Sequence, residues 1–352
     1  MNQFQSKLNL ETSTEKGSVK AKCASNIALV KYWGKRDIQI PMNPSISFTL
    51  NNSYTESELR FTPKSTNEFL VNVYLDSQLN EHFAPRIYTF FERIESYIPF
   101  LRNFEFEIHT HNTFPHSSGI ASSASGMGAL ALCLVDLEEK LGAEFNENEK
   151  LQKASFLARL GSGSACRSVY PGLAVWGKSE FVEGSSDLYA IPYPYEVHEN
   201  FRNFRDTILL IDEGQKKVSS SLGHKLMNNH PYAKKRFESA DENLGKLIQA
   251  LKEGNLEEFG ELVEHEALSL HAMMMTSFPS FILMKPNTVA AIEKVRKFRE
   301  QSGANIYFTL DAGANVHLLY PEYEENKCFN FIESQLQSLC ASGKLIKDFS
   351  NS

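Results

Sequence analysis

The stretch from Phe114 to Leu141, FPHSSGIASSASGMGALALCLVDLEEKL, constrains this chain more than any other. Its first half is small and hydroxylic: Ser117, Ser118, Gly119, Ser122, Ser123, Ser125 and Gly126. Its second half, Met127 to Leu137, has the pattern of an apolar helix and stops at Lys140 and Gly142. A cation in the last turn and a glycine after it are ordinary helix ends. A helix start leaves backbone N–H groups unbonded and carries partial positive charge, so it attracts an anion. Small residues let a phosphate reach that backbone, and serine hydroxyls can hold phosphate oxygens or a Mg²⁺ ion. The stretch therefore reads either as a nucleotide-phosphate loop or as a Ser/Gly-rich turn ahead of a core helix. No Gly-Lys-Ser/Thr follows, so it is not a Walker A loop, and a nucleotide held here is held by a different fold.

The chain has 352 residues, which predicts two domains of about 150 residues each. Hydrophobic residues make up 42% and charged residues 22%, ordinary values for a globular chain. A net charge of −7 argues against a nucleic-acid or anionic-membrane partner. Met1 to Lys16 is polar and lacks a signal-peptide core, and no apolar run is long enough to span a bilayer. Cys23, Cys133, Cys166, Cys328 and Cys340 show no CxxC spacing. That pattern predicts no metal cage and a reducing, cytoplasmic setting.

Ser18 to Ala24 alternates as a half-buried strand, and Met42 to Leu50 ends in another. Glu56 to Phe61 and Phe69 to Leu75 read as two strands around a Pro63 turn. Pro85 to Tyr97 reads as a helix with Ile87, Phe90, Phe91 and Ile94 on one face. Phe104, Phe106 and Ile108 mark a strand leading into the serine-rich stretch. Asn146 with Glu149 predicts a capping box and a helix to Leu160. Leu173 to Trp176 is a short strand, and Tyr189 to Phe204 is a Pro/Tyr/Asn-rich connection. The boundary falls there, with domains at 1–203 and 204–352. Beyond it are a strand over Thr207 to Asp212, two helices within 231–270 and a helix over Thr288 to Gln301. Strands over Ile306 to Leu310 and Val316 to Tyr320 flank the tight turn DAGAN. This order predicts an α+β protein of two sandwiches packed side by side.

Four stretches could carry chemistry. In LVKYWGKRD, Lys31, Lys35 and Arg36 crowd around Tyr32 and Trp33, as a solvated basic turn or as an anion clamp with an aromatic wall. The serine-rich stretch is the second. In GSGSACRS, Ser162, Ser164 and Arg167 share a short turn, and Arg has a planar donor fork suited to carboxylate or phosphate. In FTLDAGANV, Asp311 is followed by small residues that leave it reachable, although Asp before Gly commonly just forms a turn. His265 and His271 are wrongly spaced for HExxH zinc ligation and read as surface or partly buried helix residues. Met273, Met274 and Met275 read as core or pocket filler, and Ser219, Ser220 and Ser221 either cap a helix, the reading favoured by their position, or touch phosphate.

Taken in order, ASNIALVKYWGKRD, NPSISFTL, FPHSSGIASSASG, GSGSACRSVYPGLAVW, KKVSSSLGH, LHAMMMTSFP and YFTLDAGANV resemble the diphosphomevalonate decarboxylase family of the GHMP kinase superfamily. The resemblance spans roughly residues 20 to 322. It implies a two-domain GHMP kinase fold, with an N-terminal half like domain 2 of ribosomal protein S5 and a C-terminal ferredoxin-like sandwich. It implies an ATP- and Mg²⁺-dependent reaction in the mevalonate pathway of isoprenoid and lipid metabolism, in a homodimer. The 3-hydroxyl of 5-diphosphomevalonate is phosphorylated, and phosphate and CO₂ then leave to give isopentenyl diphosphate.

The resemblance also implies roles. Ser122, Ser123, Gly119 and Ser220 would hold ATP phosphates, with Ser123 on the metal. Tyr32, Lys35, Ser162, Ser164 and Arg86 would bind the substrate diphosphate. Arg167 would hold the carboxylate, and Asp311 with Lys31 would face the 3-hydroxyl. Phosphoryl transfer has a loose transition state, so positioning matters more than a strong base. An aspartate beside a lysine would be a weak base, suited to orienting the hydroxyl and taking its proton late. Some positions depart from the family pattern: Ser25 stands where it has Pro, His116 and Ser117 are more polar, and Ser221 stands where many bacterial members have Arg. The Ser221 departure keeps a monophosphate substrate open, giving isopentenyl phosphate. A GHMP small-molecule kinase without decarboxylation and a non-catalytic ligand sensor are the other readings. Retention of Asp311, Lys31 and Arg167 argues against mevalonate 3-kinases.

Overall fold

The structure is a computed structural model that describes residues 2–8, 16–115, 120–214 and 220–351, without the side chains of Asn2, Ser220 and Ser221. His116, Ser117, Ser118, Gly119, Lys216, Lys217 and Ser219 lie outside the described residues.

The first sheet is built around two long strands, β1 (Gly17–Val30) and β4 (Ser45–Pro63). A small hairpin, β2 (Lys35–Arg36) and β3 (Ile40–Pro41), lies between them in sequence. β1 extends well past Ala24, where the alternating pattern stops. Its second half is buried on both faces, so alternation no longer marks it. β4 likewise joins the two segments expected separately at Met42–Leu50 and Glu56–Phe61. The register against β1 shifts between Ala24 and Asn26, and the bulge there bends the pair. β5 (Leu70–Leu75) and β6 (Gln78–Leu79) follow. β5 does not return along β4 around Pro63. It runs parallel to β7 (Phe104–Asn112), which pairs with β4. β8 (Leu173–Trp176), paired with β9 (Ile191–Pro192), lies along the start of β4.

Helix α1 (Ala84–Ile94) buries Ile87, Phe90, Phe91 and Ile94, the face its spacing predicts. α2 (Ser122–Lys140) packs on β1 and β4. α3 (Glu147–Gly161) opens with the expected capping box, Asn146 and Glu149 each meeting the other's backbone N–H at 3.0 Å. A single short turn, α4 (Ala165–Ser168), follows. Phe61, Phe91, Phe106, Leu134 and Phe156 fill the core between these helices and the sheet.

The second sheet has the order β11–β12–β10–β13. Its central strand, β10 (Phe204–Leu209), starts earlier than the expected Thr207. Helices α5 (Ser220–Leu226), α6 (Ala233–Glu253), α7 (Leu256–Met275) and α8 (Pro286–Ser302) come next. β11 (Tyr307–Thr309) and β12 (Val316–Tyr320) pair antiparallel. A last helix, α9 (Glu325–Phe331), leads to β13 (Leu345–Ser350), a strand with no sequence expectation. Asp348 of β13 accepts from the N–H groups of Asn51 and Asn52, both at 2.9 Å, where β4 breaks register. The two sheets share a core: Ile27, Leu29 and Phe48 pack with Phe204, Leu244 and Phe259. Among the described residues no helix is long and apolar enough to cross a membrane.

Candidate active site

The shared interior opens into a cavity of about 700 Å³. Every residue expected at the site lines it except Gly119, which lies outside the described residues, and Ser220, whose side chain does.

Lys31 stands just after β1 and is 1% exposed. Its Nζ donates to the Ala28 carbonyl at 2.6 Å and to Asp311 Oδ1 at 3.3 Å. Burial lowers its pKa, and the neighbouring Asp311 and Glu266 charges partly restore it. Asp311 lies in the turn after β11 and keeps about 30% of its side chain exposed. The pair is thus a buried ammonium meeting a carboxylate that faces the cavity.

Arg167, in α4, is 2% exposed. Its Nε donates to Ser47 Oγ at 3.0 Å, Nη1 to Ser45 Oγ at 2.5 Å and Nη2 to Asn26 Oδ1 at 3.3 Å. These acceptors come from the paired strands β1 and β4, not from Ser162 and Ser164. A guanidinium this deep would ordinarily need a paired anion, yet its direct partners are all neutral oxygens. Asp311 supplies a favourable charge from nearby.

Tyr32, Trp33 and His224 form an aromatic wall. The His224 ring is 4.3 Å from Tyr32 and 4.7 Å from Trp33. His224 Nδ1 accepts from the Gly34 N–H at 3.0 Å, which leaves the ring proton on Nε2. Burial holds the imidazole neutral, with a pKa pushed down to about 3, and Lys35 adds to the effect. The Tyr32 hydroxyl is enclosed without a hydrogen-bond partner among the described residues. Gly163, between Ser162 and Ser164, has no room for a side chain: a Cβ would sit 2.9 Å from both the Trp176 ring and the Tyr32 hydroxyl. Lys35 Nζ donates to Gln39 Oε1 at 3.0 Å, and burial with Arg93 and Lys225 nearby lowers its pKa.

On the cavity wall α2 begins at Ser122, earlier than the Met127 of the apolar pattern. Ala121, in the left-handed conformation, turns the chain into it. Ser122 and Ser123 are therefore the first helical residues, and no helical carbonyl precedes their N–H groups. Arg86 Nη2 donates to Ser123 Oγ at 3.2 Å, which sets Arg86 beside this helix start. A Cβ on Gly126 would meet nothing within 4 Å. Hydroxyls, amides without a helical carbonyl ahead of them and open space among the described residues fit a nucleotide phosphate with its Mg²⁺. Ser125 is not part of this set. It is buried and accepts from Thr55 Oγ1 at 2.7 Å. Ser25, at the family's Pro position, donates to the Ile120 carbonyl at 2.9 Å and so ties β1 to the entry of α2.

Several residues of the site escape sequence reasoning. Asn26, Ser45 and Ser47 look like ordinary strand residues. His224 had no signal beyond its motif. His271, expected at the surface or partly buried, is 1% exposed and meets the Asp311 carbonyl. Met274 is core, whereas Met275 is exposed.

A cavity lined both by a serine-bearing helix start and by the Lys31–Asp311 pair, set in two α+β halves of this topology, belongs to the GHMP kinase fold class. A family model described as the diphosphomevalonate decarboxylase-like N-terminal domain matches residues 23–189. The mevalonate 5-diphosphate decarboxylase C-terminal domain model matches residues 207–350. The chain belongs to the diphosphomevalonate decarboxylase family. The diphosphomevalonate decarboxylase of Gibberella zeae is 29% identical over 84% of this chain and 79% of its own length. The mevalonate diphosphate decarboxylase of Staphylococcus aureus superposes with a TM-score of 0.81, at 29% identity over 96% of both chains. MDDEF in complex with MVAPP, AMPPCP and magnesium also gives 0.81, at 28% identity over 96% of this chain and 98% of that one.

Proposed function

We propose that this protein carries out the ATP-dependent decarboxylation of 5-diphosphomevalonate to isopentenyl diphosphate, releasing ADP, phosphate and CO₂. The observation that carries the reading is Arg167. It is a buried guanidinium held by neutral oxygens within electrostatic reach of Asp311, and a substrate carboxylate would supply the missing counter-charge.

Asp311 orients the 3-hydroxyl toward the γ-phosphate and accepts its proton as the new P–O bond forms and ADP leaves. Lys31 holds the Asp311 carboxylate and offsets charge on the transferring group. Arg167 keeps the carboxylate in place while the C–O bond to the new phosphate breaks and CO₂ departs. Tyr32, Lys35, Ser162 and Ser164 hold the diphosphate, and the enclosed Tyr32 hydroxyl gains an acceptor in a phosphate oxygen. Arg86 bonds Ser123, lines the same cavity and contributes to both phosphate positions. Ser122 and Ser123, with Gly119 and Ser220, hold the ATP phosphates. Ser123 would help hold Mg²⁺, which would supply charge neutralisation for the transfer. The division into domains at 1–203 and 204–352 brings Asp311 to the substrate held by the N-terminal half.

The protein acts as a cytoplasmic homodimer on this reading. The five free cysteines fit a reducing compartment, and the exposed Phe278 and Ile282 suit a second copy. Sedimentation of the purified chain tests the dimer. The decisive assay measures ADP and CO₂ with mevalonate, its 5-phosphate and its 5-diphosphate in parallel. Release of both from the diphosphate alone is expected. CO₂ from the monophosphate would instead identify a phosphomevalonate decarboxylase, and ADP without CO₂ a plain kinase.

A further inference from the structure

Helix α7 reaches both members of the Lys31–Asp311 pair through their backbones. Glu266 Oε2 accepts from the Lys31 N–H at 2.9 Å. Five residues on, His271 Nε2 lies 3.1 Å from the Asp311 carbonyl oxygen. A carbonyl only accepts, so Nε2 carries the proton and donates. Lys31 follows a strand of the first sheet and Asp311 a strand of the second, so their contact crosses between the two halves of the molecule.

Glu266 is held at every oxygen. Arg236 grips it with two bonds, 3.1 Å and 2.6 Å, and Asn243 Nδ2 donates at 2.7 Å. Arg236 and Asn243 are seven residues apart on α6, so they share one face. The Lys31 carbonyl is held in turn by Asn43 Nδ2 at 2.9 Å and Arg236 Nη2 at 3.5 Å. The Lys31 peptide is thus clamped at both its N–H and its carbonyl. A buried ion pair is poor evidence for stability, because apolar residues of equal volume often serve as well. What apolar residues could not supply is the acceptor for the Lys31 N–H.

We propose that Glu266 and His271 are positioning residues which, through α7, set the separation of Lys31 and Asp311 across the boundary between the two halves. The proposal rests on the reading of that pair as the reacting centre. A misplacement of about 1 Å at such a pair can cost about 100-fold in rate without weakening the grip on either substrate.

The test compares His271→Phe, which keeps a ring but removes the donor, with His271→Gln, which returns an amide donor of similar reach. Steady-state kcat and both KM values, single-turnover ADP formation and thermal melting are measured on the full chain. The Phe variant is expected to lose about 100-fold in kcat with both KM values within about threefold. The Gln variant should recover about tenfold of that loss. Glu266→Gln, which keeps an acceptor but unbalances Arg236, should lower kcat and melting temperature together. If it fails to fold, the His271 pair decides alone. A Phe variant that melts lower but turns over at the wild-type rate overturns the proposal, as does a Gln variant no better than Phe. A wild-type chain that releases no CO₂ from any mevalonate substrate overturns the functional reading itself, a distinguishable result.

Discussion

Arg167 and Ser123 line the same cavity, but the chain holds them in opposite ways. Arg167 is enclosed, and its three bonds go to residues 120 or more positions away, on β1 and β4. Ser123 is exposed at a helix start, and apart from Arg86 its surroundings, Ser122, Gly126 and the helix amides, are neighbours in sequence. Charge explains the contrast. A buried guanidinium or ammonium is costly unless its surroundings satisfy it, and here residues far apart in sequence do that. Hydroxyls and helix amides cost little in water and can be supplied locally. Arg167 is therefore held in place by tertiary structure, whereas the surroundings of Ser123 are encoded largely in one stretch. Substitutions at the first should damage chemistry and those at the second the use of ATP.

Asp311→Asn gives the largest expected effect. Asn keeps the size but cannot take the hydroxyl proton, so the barrier rises by about 3–5 kcal/mol. ADP and CO₂ should disappear together while both substrates still bind. An Asn variant that makes ADP and accumulates a 3-phosphate ester without CO₂ would place Asp311 in the second step only.

Arg167→Lys should cost about 2–4 kcal/mol in kcat/KM despite the retained charge. An ammonium cannot bond Ser45, Ser47 and Asn26 in the guanidinium's plane and still face a carboxylate. Decarboxylation at the wild-type rate would show that the buried end is not where the carboxylate binds.

Ser123→Ala should cost about 1–3 kcal/mol, seen mainly in the KM for ATP, with melting temperature unchanged because the side chain is exposed. An equal loss with saturating ATP would blur the distinction between the two ends.

Acidification should act on the preorganised end. Burial holds His224 and His271 neutral, with pKa values lowered to about 3 and about 4. In the unfolded chain both take a proton below about pH 6.5. The unfolded state then binds more protons, so their contribution is intact above pH 6.5 and is lost as pH falls toward 4. Melting temperature should drop between pH 7 and pH 5, and His271→Phe should shallow that drop. An equal drop in the variant would exclude His271 as a source.

Much of this molecule could be read in its order of residues. The apolar face of α1, the capping box of α3 and the strand Leu173–Trp176 each follow from side chains a few positions apart. Such features depend on local periodicity and capping, which sequence carries directly. The full lengths of β1 and β4 did not follow, because their buried halves lose alternation under a partner more than 150 residues away. The strand Leu345–Ser350 gains its place from β10 and from the bulge at Asn51 and Asn52. Glu266, Asn243 and His271 look like any polar residues on amphipathic helices. Only the docking of α6 and α7 against Lys31 and Asp311 gives them a role, since a hydrogen bond across 23 to 235 residues of chain exists only once both ends are folded.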